Sequence, residues 1–161
     1  MTQWLSAEQQ RHWRAYIAAT TLLQERLSRE LQAAHGLTMA DYEILVRLSE
    51  APDRRLRMSQ LASFTLASRS RLSHQVDRLE RAGLVEREPC ESDRRGANAV
   101  LTEHGWKTLV AAAPTHVEGV RAHLVDQLTD REFAAVGKAM AIVASHLQDT
   151  EPDCETGAAS A

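Results

Sequence analysis

The sequence predicts a mainly α chain with a small antiparallel β-hairpin, and three observations carry that prediction. Residues 58–101, MSQLASFTLASRSRLSHQVDRLERAGLVEREPCESDRRGANAVL, read as a short helix, a tight turn, an amphipathic helix closed by Gly83, and a hairpin with a charged tip. Apolar residues recur at helical spacing through long stretches on either side of that segment. Composition agrees, since the 161 residues are 43% hydrophobic but only 4% aromatic, and abundant Ala and Leu favour helices over sheets. A chain of this length suits one domain or a compact subunit.

Taken in order, Ser6 and Gln9 have the spacing of a capping box that opens a long first helix. Its stripe is Trp13, Tyr16, Ile17, Thr20, Leu23, Leu27, Leu31 and Ala34, and His35-Gly36 closes it. At 1.5 Å per residue such a helix runs about 43 Å, too long for one small lobe to cover. Thr38 with Asp41 starts a second helix, with Tyr42, Leu45, Val46 and Leu48 inward and an end near Pro52. Asp53-Arg54-Arg55 forms a turn, and Leu56-Arg57-Met58 can add a third strand to a hairpin of residues 84–88 and 97–101. Ser59 is the expected cap of the third helix and Ser68 of the fourth. Pro89 to Gly96 is the expected wing loop, with Gly96 turning the tip at positive φ. Thr102 opens the fifth helix, which keeps its apolar spacing from Trp106 to Leu128 across Pro114, a residue that removes one backbone donor and bends helices. Thr129 and Glu132 cap a sixth helix striped by Phe133, Val136, Met140, Val143 and Leu147, and residues 149–161 are an expected disordered tail.

The fourth helix holds the candidate site. Leu72, Val76 and Leu79 recur at i, i+4, i+7 and form one buried stripe. Steps of about 100° place Ser70, Arg71, His74, Arg78 and Arg81 opposite it. A helix packed by one side and offering Arg, Ser and His on the other is what a DNA major groove accepts. Ser70, Arg71 and His74 suit base edges, and Ser68 and Arg69 sit where helix amides favour a phosphate. Ser73 and Gln75 flank that face, and Arg78 suits the phosphate backbone. In the hairpin tip Asp93, Arg94, Arg95 and Gly96 are candidates, since a guanidinium can enter a narrow minor groove. Arg57 suits flanking phosphates.

The net charge of −3 is unevenly divided. Residues 54–95 hold ten Arg against six carboxylates, or +4, and the remainder holds nine basic against sixteen acidic residues, or −7. Phosphates respond to the field within about 8–10 Å, so the local excess governs. No apolar run approaches the ~20 residues of a membrane span, and no signal segment is visible, so a cytoplasmic protein without a membrane partner is expected. Cys90 and Cys154 make no disulfide framework. Gly-rich phosphate loops, nucleophile elbows and His-Glu-x-x-His runs are absent, which excludes the commoner enzyme classes; no cofactor and no metal are expected. His116 and His123 share a helix face seven residues apart, the wrong interval for a metal pair, and read as dimer-surface groups.

Stripes outside residues 37–101 need partners, and each other across a two-fold axis is the simplest arrangement. Residues 1–36 and 102–148 are therefore the expected helical dimerisation region of a homodimer. Residues 37–101 are the expected DNA-binding domain. Two reading helices about 34 Å apart imply double-stranded DNA with a pseudo-palindromic operator.

LERAGLVER, the tip Asp93-Arg94-Arg95-Gly96 and the strand running into LTEHG resemble the winged helix-turn-helix of the MarR family of bacterial transcriptional regulators. The resemblance extends over most of the chain. It implies a triangular dimer, Arg95 as the minor-groove residue with Asp93 steadying it by an ion pair, and Arg94 on the backbone. It also implies repression relieved by a small amphipathic, phenolic-type effector in a cleft matching His12, Trp13, Tyr16 and Tyr42. The family's peroxide-sensing branch carries its reactive Cys in the first helix, and residues 1–35 contain none. The competing readings are a winged-helix protein-interaction module without DNA binding and a metal-responsive regulator.

Overall fold

The computed structural model describes residues 1–65, 68–90 and 93–149, five of them (Arg69, Asp93, Arg94, Arg95 and Asp149) by backbone alone. Their order is α1 (Ala7–His35), α2 (Met39–Glu50), a 3-10 turn (Pro52–Arg54), β1 (Arg55–Arg57), α3 (Met58–Phe64), α4 (Arg69–Arg81), β2 (Val85–Cys90), β3 (Asp93–Leu101), α5 (Glu103–His123), a second 3-10 turn (Val125–Gln127) and α6 (Asp130–Asp149). The chain divides into two compact units, Met1–Val120 and Arg121–Ala161.

Three of the anticipated capping boxes are present. Ser6 and Gln9 exchange bonds at 3.1 and 2.8 Å, Thr38 and Asp41 at 3.2 and 2.9 Å, and Thr129 and Glu132 at 3.3 and 2.8 Å. Each satisfies donors that a helix start leaves unpaired. The backbone bond from Thr129, with its hydroxyl, holds the Glu132 carboxyl below its usual range. Ser59 is not a cap. It lies inside α3, which starts at Met58, and Gln60 reaches back to the Arg57 amide instead. The start moved because β1 runs straight into the helix, leaving Arg57 as the extended residue before it.

In the sheet, order β1-β3-β2, every pairing is antiparallel. Arg55, Leu56 and Arg57 lie opposite Val100, Ala99 and Asn98, so the third strand forms one residue earlier than the sequence indicates. The wing is longer-stranded than anticipated. β2 continues to Cys90 and β3 begins at Asp93, so Pro89 and Gly96 belong to strands rather than to a loop. Gly96 is not among the positive-φ residues; it sits where the register shifts between Pro89 (opposite Ala97) and Cys90 (opposite Asp93), so its place is an irregular strand and not the tip turn. Glu91 and Ser92, at the tip, lie outside the described residues, as do residues 150–161 of the expected tail.

The core of the first unit gathers Ile44, Leu45 and Leu48 of α2, Leu61 of α3, Leu72, Val76 and Leu79 of α4, Val85, Ala99 and Leu101 of the sheet, with Leu31, Leu109 and Ala112 from α1 and α5. Fully burying each large aliphatic contributes about 1.5–3 kcal/mol. Of the α1 stripe only Leu27 and Leu31 are buried; Trp13, Tyr16 and Ile17 are exposed. Among the described residues no helix is long and apolar enough to cross a membrane.

Candidate nucleic-acid interface

Helix α4 is fixed at both ends by local chemistry. Ser68, in extended conformation, accepts the Arg71 amide at 3.3 Å. At the other end Gly83 adopts φ +70°, which lets its own amide and that of Leu84 return to Glu80 and Leu79 at 2.9 Å each. A residue with Cβ would be strained there. Between these ends the stripe of Leu72, Val76 and Leu79 is buried to 1%, 0% and 2% exposure. Ser70, Arg71, His74, Arg78 and Arg81 are exposed, and Ser73 and Gln75 are half-buried. The helix therefore shows the face that the 3.6-residue period assigns to it.

Not every residue on that face is equally available. One Arg78 nitrogen donates to Asp41 Oδ1 at 2.5 Å and to Thr38 Oγ1 at 3.2 Å. Asp41 is only 3% exposed, and its other oxygen accepts the Thr38 amide and hydroxyl at 2.9 and 2.7 Å. A buried carboxylate needs that partner, so Arg78 joins α4 to the start of α2. Nothing local in the sequence marks Asp41 as buried, because a capping-box acid is ordinarily exposed. Arg81 donates to the Asp77 carbonyl at 3.2 Å on its own helix.

Arg87 of β2 makes contacts to α4 that the sequence reading did not anticipate. Its guanidinium donates to Asp77 Oδ1, to Glu80 Oε2 at 3.3 Å, and to the Ser73 carbonyl and hydroxyl at 3.0 and 3.3 Å. Its backbone amide also donates to Glu80 Oε1 at 3.2 Å. This hydrogen bonding and charge hold the Asp77 carboxyl below the usual carboxylate range, with His74 and Arg81 adding to the effect. The available signal was the i, i+3 spacing of Asp77 and Glu80, which leaves two carboxylates on one helix flank needing a cation.

Around the sheet, Arg55 pairs with Glu88 at 2.8 Å. Arg54 pairs with Glu103 at 3.3 Å and lies 4.4 Å over the Trp106 ring, in a turn where Asp53 and Arg54 both have positive φ. Arg57 is exposed at the end of β1. The expected ion pair between Asp93 and Arg95, and the side chains of Arg69 and Arg94, fall outside what is described. Cys90 is buried at the end of β2. Among the described residues no cluster of three or more His, Cys, Asp or Glu could hold a metal.

A groove of about 620 Å³ runs beside α4, lined by Thr38, Met39, Ser70, Arg71, His74 and Arg78 among others, and a second of about 280 Å³ adjoins it at Met39, Arg71 and Gln75. None of His12, Trp13, Tyr16 and Tyr42 lines either. His12 is exposed, Trp13 and Tyr16 stack at 6.0 Å on the open part of α1, and Tyr42 is buried with its ring 4.6 Å from that of His116. Burial pushes the Tyr42 phenol up and the His116 imidazole down. His116 is half-buried, with Nδ1 enclosed and unpaired.

Residues 35–96 match the model of the MarR family. The chain is 50% identical to AbsC, a MarR family transcriptional regulator from Streptomyces coelicolor, over 92% of this chain and 100% of that one, with a TM-score of 0.86. It is 48% identical to Sco3205 of the same organism, a MarR family regulator solved in complex with DNA, over 95% of this chain and 96% of that one, with a TM-score of 0.90. The regulator PecS of Dickeya dadantii is 28% identical over 133 residues, 81% of this chain and 79% of its own. The protein regulates transcription and is not an enzyme: it belongs to the MarR family of transcriptional regulators.

Proposed function

We propose that the protein is a dimeric, sequence-specific DNA-binding repressor released by a small amphipathic, phenolic-type ligand. The observation that carries DNA binding is the division of α4 between a buried stripe and an exposed Ser70, Arg71 and His74 face. Arg71 suits a bidentate contact to guanine, with Ser70, His74 and Gln75 beside it and Ser68 and Arg69 on phosphates. Ser73 faces Arg87 and Arg78 faces Asp41, so both serve the interface chiefly by holding α4. Arg95 enters the minor groove, Asp93 and Gly96 shape its approach, and Arg94 and Arg57 serve the backbone. The complex of Sco3205 with DNA supports this mode of binding.

Pairing uses residues 1–36 and 102–148, in keeping with the exposed Trp13, Ile17, Val117, Met140 and Val143. Two copies of α4 then address major grooves about 34 Å apart. Ligand control follows from the family, with a ligand acting by preferring a spacing of the reading heads that misses the two grooves.

Selecting duplexes from a random pool tests the reading, with a pseudo-palindrome of one-turn half-site spacing as the expected product. On that duplex, Arg71→Ala and Arg95→Ala each weaken binding by about 1–3 kcal/mol in fluorescence anisotropy at fixed salt, leaving the oligomer intact. Unchanged affinity for both variants overturns the assignment.

A further inference from the structure

We propose that Arg87 is a positioning residue for DNA recognition, clasping the wing to α4 so that the two DNA-contacting elements act at one fixed spacing. The inference rests on the reading of α4 and the wing as the DNA surface. β2 leaves α4 through the Gly83 turn, and one covalent joint by itself leaves an angle between them undetermined. Arg87 supplies a second polar attachment further along. From the strand it reaches Ser73, Asp77 and Glu80, which run from the middle of the helix to its last turn. The seven-residue step from Ser73 to Glu80 corresponds to about 10 Å of axis, so the attachment resists tilting as well as sliding.

The bonds are also specific in shape. Two guanidinium nitrogens address a carbonyl, a hydroxyl and two carboxylates at once, which a planar fork can do and an ammonium cannot. Ser73 and Asp77 alternate along the chain with Arg71, His74 and Arg78, so fixing them fixes the helix that carries the reading residues. Arg87 itself spends its donors inside the subunit, with only about a quarter of its side chain exposed (26%).

Affinity of full-length protein for a duplex selected by the wild type separates this role from the alternatives. Arg87→Gln is expected to weaken binding about tenfold, the factor that 1.4 kcal/mol sets. Arg87→Lys restores charge without the fork and recovers less than half of that loss on a logarithmic scale. The slope of log affinity against log salt stays at the wild-type value, because no phosphate contact is removed. Arg95→Ala costs less in the Arg87→Gln background than in the wild type, since the wing is already uncoupled. Unchanged affinity, a slope reduced by about one ion, full rescue by Lys, or additivity with Arg95→Ala each overturns the inference. Thermal unfolding checks the fold, and if Arg87→Gln does not fold, Asp77→Ala, which removes a half-buried partner, is read by the same slope and additivity criteria. Arg71→Ala runs alongside: if it binds as well as the wild type, the DNA surface itself is wrong, whereas a loss there with none at Arg87 rejects the clasp alone.

Discussion

Helices α4 and α6 carry apolar stripes of the same period, yet one is covered and the other bare. Leu72, Val76 and Leu79 of α4 are at most 2% exposed, while Phe133, Val136, Met140, Val143 and Leu147 of α6 range from 37% to 59%. Periodicity reports that a face wants burial; it does not say by what. In α4 the partners are α2, α3 and the sheet of the same chain, and its polar face stays exposed. In α6 the stripe is exposed, and a second copy is the partner proposed for it.

The sharpest way to break this contrast is to truncate one side chain in each stripe. Leu72→Ala is expected to cost about 2–5 kcal/mol in urea unfolding, because it opens a cavity in a closed core. If it costs nothing measurable, α4 is not held as described. Val143→Asp leaves the core of the first unit untouched and is expected to weaken self-association by about 1–3 kcal/mol, read as a shift toward monomer in sedimentation. Loss of the fold without any change in association reverses the contrast.

The smallest effect tests the border between the two regimes, at His116. Burial lowers its pKa below the ordinary 6.5, so the unfolded chain binds the proton more readily. The neutral form therefore stabilises the fold fully above that ordinary value, and the contribution is lost as pH falls below it and through the folded-state value. His116→Phe is expected to flatten the decline of unfolding free energy over the interval just below about pH 6.5. A wild-type curve already flat over that interval removes the role of the enclosed imidazole.

Much of the architecture was legible because it rests on local rules. The capping pairs at Ser6, Thr38 and Thr129, the Gly83 stop and the α4 stripe follow from spacing alone. The wing was less so. Where strands end depends on cross-strand pairing, and the register shift at Pro89 and Cys90 leaves no mark in the composition. The exposed face of α4 was readable from angles, but the ties of Arg78 to Asp41 and of Arg87 to Ser73 and Asp77 join residues 37, 14 and 10 apart. Such pairs form only once tertiary packing has brought their elements together. A helix face shows which residues share a side and not what lies against it, as the ring contact of His116 with Tyr42 illustrates.

Gly105 sets a boundary condition on the start of α5. A Cβ there would fall 2.0 Å from the Leu84 carbonyl oxygen, so the first turn of α5 rests directly on the chain leaving α4. Thr102 rivets the same spot, donating to the Gly83 carbonyl at 2.7 Å and accepting the Gly105 amide at 2.9 Å. With no slack at this seat, any side chain larger than hydrogen at position 105 must push the Leu84 carbonyl away from the start of α5.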